Sequence, residues 1–256
     1  MASGEDAEPT VRQAGFDHWA PYYDQSSLQR VLYEPVHLRV LAHARRRVPQ
    51  PNRILDIGCG TGRLARSCAQ FFPGVPVIGI DPSAAMIQRA ATSAPPTYFQ
   101  ARAEALPFSS DTFDLVVTTL ALRHWQDPCL GLAELSRVTT SNGVVVIADA
   151  RISDVLPKLP SAVATRNGRP RPLTRLISYL LERQRGKWAD RLPAALLHAL
   201  DQAGLRAVHV EPLAYALATA TLIVSTRRPA RPRTGLLRQR RGQQRLHDAG
   251  PGRIRT

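Results

Sequence analysis

RILDIGCGTG at residues 53–62, followed by VIGIDPS at residues 77–83, decides the fold of this 256-residue chain. The order is a buried-strand run, a glycine-rich turn, a helix, and a second strand ending in an acid. Ile54, Leu55 and Ile57 predict a strand buried on both faces. Gly58, Gly60 and Gly62 let the chain turn sharply and pass close to a ligand without Cβ clashes. The helix after them is expected to start near Thr61 or Gly62 and to turn Leu64, Ala65 and Cys68 inward. This is the layout of one nucleoside-binding half of a doubly wound α/β fold. The spacing GxGxG is one residue tighter than the GxGxxG that seats a pyrophosphate on a helix N-terminus. Asp56 also stands where a phosphate would be repelled, so the pocket suits a cationic, phosphate-free nucleoside. Asp81 closes the second strand about 20 residues after the turn, where an acid in this fold accepts hydrogen bonds from ribose hydroxyls.

Six segments in this order resemble the class I S-adenosylmethionine-dependent methyltransferases, and within them the small-molecule branch (methyltransferase type 11) that includes the ubiquinone and menaquinone C-methyltransferases. They are FDHWAPYYD (16–24), LDIGCGTG (55–62), GIDPSAAMI (79–87), AEALPF (103–108), FDLVV (113–117) and GVVVIAD (143–149), spread over a run from Phe16 to Asp149 that covers a little over half the chain. The resemblance implies a Rossmann-like doubly wound sheet of seven strands, mostly parallel with an antiparallel edge hairpin and helices on both faces. It implies S-adenosylmethionine as methyl donor and a small-molecule acceptor that is aromatic, quinone-like or polyketide-like.

By the same resemblance, Asp56, Gly58, Cys59 and Gly60 form the part of the turn that positions the methionine moiety. Asp81 binds the ribose, Met86 packs on the adenine, and the backbone at Arg102 and Ala103 meets the ring. Thr119 and Leu120, at the end of the fourth strand, line the crevice where donor and acceptor meet. Tyr23 folds over the cofactor. Other readings of these residues stand beside these. Asp56 and Asp81 also suit helix caps or loop acids. Met86 suits plain core, Cys59 a small apolar filler, and Trp19, Tyr22 and Tyr23 a hydrophobic anchor; Glu104 suits a surface acid. Where relatives carry an acid before AEALPF, this chain has Arg102, which only donates hydrogen bonds.

His124, in LALRHWQDP, lies near the carboxyl ends of the strands. An imidazole is suited to take a proton from an acceptor, and equally to a structural place at the start of the helix after the fourth strand. Asn/Asp-Pro-Pro-Tyr/Phe, the element by which amino-group methylases of nucleic acids grip a flipped base, has no counterpart at residues 118–121, which read TTLA. That argues against base amino methylation but leaves ribose and ring-carbon targets open. A nucleic-acid methyltransferase and a non-catalytic nucleoside-binding protein are the alternatives.

The net charge of +14 is uneven. From Thr226 onward there are ten arginines and one acid, a net of +9, leaving +5 for the rest. This Arg/Pro-rich tail, residues 227–256, is expected to be disordered. It suits either a solvated appendage or an arm for nucleic acid or anionic lipid. Three cysteines without CxxC or other metal spacing predict reduced thiols and no metal site. The acidic, polar N-terminus is no signal or transit peptide, and the longest apolar stretch is too short to span a bilayer; a cytoplasmic protein is expected.

Residues 1–50 are read as an N-terminal helical segment over the cofactor site, with a helix at 35–47, and residues 51–226 as the methyltransferase domain. Within it, helices are expected at 84–91, 128–138 and 192–203, and strands at 98–101, 113–119, 144–148, 207–210 and 217–226. Residues 151–190 break the alternation. By the resemblance they suggest a lid, in which Arg166, Arg169, Arg171, Arg175 and Trp188 would face an acidic or quinone-like acceptor; a solvated loop and packed helix is the other reading.

Overall fold

The computed structural model describes residues 11–26, 29–92, 95–151, 165–166, 169–170, 192–214 and 219–227. Its centre is β1 (Ile54–Ile57), buried along its whole length because a helical layer covers each face. From β1 the chain passes through α3 (Arg63–Phe71) to β2 (Val77–Asp81), then through α4 (Ala84–Ala90) to β3 (Thr97–Gln100). It then returns to the other side of β1 as β4 (Phe113–Thr119), and α5 (Pro128–Val138) leads to β5 (Thr139–Arg151). Helix α6 (Leu192–Gln202) precedes β6 (Leu205–Ala214) and β7 (Thr219–Arg227). The sheet order is β3-β2-β1-β4-β5-β7-β6, and β7 alone runs against the other six. Strand order therefore reverses between β1 and β4, which opens a crevice at their carboxyl ends.

The alternation of strand side chains splits the core in two. Ile54, Leu115, Val117, Val144 and Val146 pack with Val36, Val40, Leu64 and Cys68, which come from α2 (Glu34–Arg47) and α3. Leu55, Ile57, Val116, Val145 and Ile147 pack on the opposite face with Leu132 and Leu135 of α5 and Leu196 and Leu200 of α6.

The expected strands and helices are present, with three corrections. The fifth strand is expected at 144–148. Instead β5 begins at Thr139, which pairs with Phe113; pairing then resumes at Leu115 with Val144, so residues 140–143 form a bulge. Thr139 starts the strand early because its Oγ1 donates to the Leu135 carbonyl across 2.6 Å, closing α5 directly onto β5. Second, Arg227, read as the first tail residue, ends β7, where its guanidinium meets Asp111 and the Thr139 carbonyl. Third, β6 extends well beyond 207–210 at both ends.

Two N-terminal elements, α1 (Val11–Tyr23) and a five-residue π-type turn (Gln29–Tyr33), precede α2. Pro21 lies inside α1, and Asp17 bonds the helix to the turn at Ser83 and Ala85. Of the lid reading, only Arg151 in β5 and a two-residue ladder joining Thr165–Arg166 to Arg169–Pro170 are described. Arg171, Arg175, Trp188 and residues 228–256 of the tail lie outside the described residues. No described helix is long and apolar enough to cross a membrane.

Candidate active site

The crevice is built first by the turn after β1. The Gly58 and Cys59 N–H groups both donate to the Ile80 carbonyl, at 2.8 and 2.9 Å, which ties the turn to the end of β2. Gly58 has φ +73°, and a Cβ there would lie 2.5 Å from the Ala121 Cβ, so β1 and the loop after β4 approach as only glycine permits. At Gly60 the ring of Tyr23 rests over the backbone, 3.8 Å from where a Cβ would be.

Asp81 is held by this turn. Its Oδ2 accepts from the Gly60 N–H and its Oδ1 from the Ser83 N–H, both at 2.9 Å. Burial still pushes its pKa up to about 6, against the two N–H donors that lower it. Asp56 is more extreme. It is 1 % exposed, takes one N–H bond from Ala65, and its Oδ2 has no partner. Burial and the nearby Asp81 charge push its pKa up to about 8. Two adjacent buried carboxylates, one with an orphaned oxygen, make a site short of positive charge.

The cleft in front of Asp81 measures about 860 Å³ with the open solvent at its mouth included. Tyr23, Gly58, Gly60, Asp81, Met86, Arg102, Ala103, Thr119, Leu120 and His124 all line it. Asp56 and Cys59 lie instead in an adjoining polar recess with Gln29, His37, Thr61 and Arg63, and Tyr23, Tyr33, Gly58 and Thr119 border both spaces. Burial and the Arg63 charge lower the His37 pKa to about 4, so this imidazole is neutral at pH 7. Met86, 2 % exposed, reaches the cleft from the first turn of α4, whose N-cap Ser83 accepts its N–H at 3.1 Å. Leu120 leaves β4 with φ +53°, a left-handed conformation costly for a branched side chain, and its N–H is pinned to the Ala148 carbonyl at 2.8 Å.

Another wall of the cleft is a 3-10 turn, Leu122–His124. Phe16 meets the His124 ring edge-on at 4.9 Å. Beside it the Arg123 guanidinium donates to the buried Asp149 carboxylate at 2.6 Å, fixing the turn to the end of β5. Glu104 is more than a surface acid: its Oε1 accepts the N–H groups of Gln126 and Asp127, at 2.6 and 3.2 Å, and clasps two loops at the mouth.

Sequence reasoning missed Tyr33 and Trp125 in the lining, and it missed what the acids of FDHWAPYYD do. Asp17 accepts from the Ser83 hydroxyl and the Ala85 N–H, and Asp24 accepts from the Thr61 hydroxyl at 2.7 Å. The two acids lie seven residues apart, two helical turns, and latch α1 to the two loops that carry Asp81 and the glycines. That spacing was a signal available in the sequence.

This order of strands, with β7 reversed and a crevice between β1 and β4, meets a family match at the same place. The sequence profile of the family described as methyltransferase domain fits residues 55–147, from β1 to β5. The chain resembles that family across residues 55–147, a little over a third of its length. It is 36 % identical over 137 residues to a malonyl-[acyl-carrier protein] O-methyltransferase of Halorhodospira halophila, a match spanning 52 % of this chain and 45 % of that one. It is 32 % identical over 145 residues to a demethylmenaquinone methyltransferase of Renibacterium salmoninarum, across 56 % and 60 % of the two chains. The match thus spans about half the length of these curated relatives. Among solved structures, a SAM-dependent methyltransferase of Thermotoga maritima superposes with TM-score 0.59 at 18 % identity, covering 84 % of this chain and 99 % of its own. At that identity the likeness is one of fold.

Proposed function

We propose that this chain is a methyltransferase that moves a methyl group from S-adenosylmethionine to a small molecule, aromatic, quinone-like or polyketide-like. The observation that carries the reading is the pair of buried carboxylates, Asp56 with its orphaned Oδ2 and Asp81, set against an apolar cleft. An anionic recess fits a ligand with positive charge at one end and an aromatic base at the other. It does not fit a dinucleotide phosphate.

When bound, S-adenosylmethionine supplies a methyl group on a cationic sulfur that is already a good leaving group. The chain's own residues have modest duties. Asp56 and the backbone of Gly58, Cys59 and Gly60 hold the amino-acid end, Asp81 takes the ribose hydroxyls, and Met86 with the backbone at Arg102 and Ala103 holds the base. Thr119 and Leu120 set the floor on which the acceptor is aligned, and Tyr23, Tyr33 and Phe16 exclude water. His124, on the acceptor side, takes the proton that an acceptor hydroxyl or activated carbon must lose, on a ring nitrogen. The names of the two relatives, one acting on malonyl-acyl carrier protein and one on demethylmenaquinone, support an acceptor with an acidic or phenolic oxygen or an activated carbon.

The test is transfer of isotopically heavy methyl from the donor into a host-cell extract, with label sorted among small molecules, RNA, DNA and protein. It uses the full chain, a version ending at Arg228 that keeps the β7 residue Arg227, and Asp81→Ala as blank. Label in the organic-soluble fraction from both active versions is the expected result. Label in nucleic acid that vanishes with the tail replaces this reading with that of a nucleic-acid methyltransferase. Full activity of His124→Ala removes the proton-acceptor role.

A further inference from the structure

Away from the cleft, where helix α2 lies against the outer strand β6, three metal-ligating side chains converge. His209 and Glu211 are two apart on β6 and pair with Val224 and Leu222, both in the core layer beneath α2, so their side chains share the α2 face. His43 descends from the last turns of α2. Its Nε2 lies 2.7 Å from Glu211 Oε2, and His209 Nε2 lies 3.5 Å from the same oxygen. The imidazoles stack, centroids 4.7 Å apart. All three donor atoms fall within 4.8 Å of one another.

We propose that His43, His209 and Glu211 form a binding site for a divalent transition-metal ion of the zinc type, which staples α2 to the sheet edge. Zinc is bound at about 2.0–2.2 Å from imidazole nitrogen and carboxylate oxygen, in tetrahedral array. Those bond lengths place neighbouring donor atoms roughly 3.3–3.5 Å apart. The separations found here bracket that spacing, so side-chain rotations alone admit the ion. Two imidazoles and one carboxylate are a donor set that zinc and its neighbours favour over calcium or magnesium. Arg39 binds the other carboxylate oxygen, Oε1, and so turns Oε2 toward the imidazoles, the orienting contact that bound carboxylates usually have. His43 is buried while His209 is 38 % exposed, which leaves a water-accessible fourth position.

The sequence gives no hint of this set, because 166 residues separate His43 from His209 and neither lies in a metal-spaced motif. The same helix carries His37 of the polar recess, and the turn bearing Tyr33 leads into it. An ion at this staple therefore stiffens one wall of the cleft. The inference is independent of the methyl-transfer reading.

The experiment uses untagged, chelator-stripped full-length protein titrated with Co²⁺ alone and then Zn²⁺. One equivalent of Co²⁺ is expected to give the visible d–d absorption of a low-symmetry site, which Zn²⁺ abolishes. Zn²⁺ at about 100 times its Kd is expected to raise Tm by roughly 5–10 °C. His209→Ala, at a half-exposed position that tolerates truncation, and Glu211→Gln should each weaken binding by about 100-fold or more with unchanged far-ultraviolet circular dichroism. His43→Gln gives the same loss from the helix side. Absence of the absorption in the parent protein, or absorption that survives His209→Ala, overturns the site.

Discussion

The Gly60 N–H donates to Asp81 Oδ2 across 2.9 Å, so the turn after β1 and the acid ending β2 form one unit. A carboxylate fixed by the turn, with Ser83 N–H on its other oxygen, has its remaining lone pairs aimed before any ligand arrives. The cost of that arrangement is a second acid, Asp56, buried close by with no hydrogen-bond partner on its Oδ2.

That cost is measurable as protons. In the unfolded chain both acids titrate near 4, whereas in the folded chain Asp56 titrates at about 8 and Asp81 at about 6. Between about pH 4 and pH 8 the folded state binds more protons than the unfolded one, so stability falls as pH rises through that window. Asp56→Asn should flatten the profile of Tm against pH and raise Tm at pH 8. A cationic donor should expel the Asp56 proton: at pH 7, binding releases about one proton, measured by calorimetry in two buffers of different ionisation enthalpy. Asp56→Asn that released as many would refute the assignment.

The parallel core was legible from the sequence because its signals are local. Ile54, Leu55 and Ile57 read as a buried strand, the glycines as a turn, and residues 113–119 and 128–138 as the strand and helix found there. The residues that line the cleft from those elements came with them, because they stand at strand ends. Elements fixed by distant partners were not legible. Residues 140–143 look like a turn, but Thr139 is captured by Phe113 and Leu135 first. The π-type turn that places Tyr33 has no sequence mark, since Tyr33 is held by the ring of Tyr23, 5.6 Å away and ten residues earlier.

Gly58→Ala tests the close approach of β1 to the loop after β4. The left-handed backbone alone costs roughly 1–2 kcal/mol for a residue with a Cβ, and the new methyl would meet Ala121 at 2.5 Å. Gly74 has the same kind of backbone, φ +79°, with nothing within 4 Å of its Cβ position. Thermal unfolding should therefore show Gly74→Ala losing a few degrees, about 2–4 °C per kcal/mol, and Gly58→Ala clearly more. Equal losses would mean that the loop yields freely.

Asp17 and Asp24 predict a hinged cover. Each ties α1 to one shore of the cleft, through Ser83 and Thr61. Net hydrogen bonds contribute about 0.5–1.5 kcal/mol each, so Asp17→Ala or Asp24→Ala should weaken donor binding roughly 3- to 10-fold. Limited proteolysis within α1 should speed up in parallel. The double variant should lose more than the sum, because either latch alone still holds one end. Unchanged affinity together with unchanged proteolysis would reduce both acids to surface hydrogen bonding.

Arg123 and Asp149 anchor the turn that carries His124. The Asp149 carboxylate is 2 % exposed and the Arg123 side chain 13 %, joined at 2.6 Å. Removing one member of such a pair leaves an uncompensated buried charge at about 3–5 kcal/mol, while replacing both with apolar groups of similar volume is often neutral. Arg123→Met should therefore lower Tm sharply, and adding Asp149→Leu should recover most of the loss. The activities should separate from the stabilities. The 3-10 turn that presents His124 hangs on this pair, so the stable double variant should keep donor affinity, which rests on the other shore of the cleft, yet lose kcat as the imidazole drifts. A double variant with parental kcat would show that packing of Phe16 against His124 positions the ring without the ion pair.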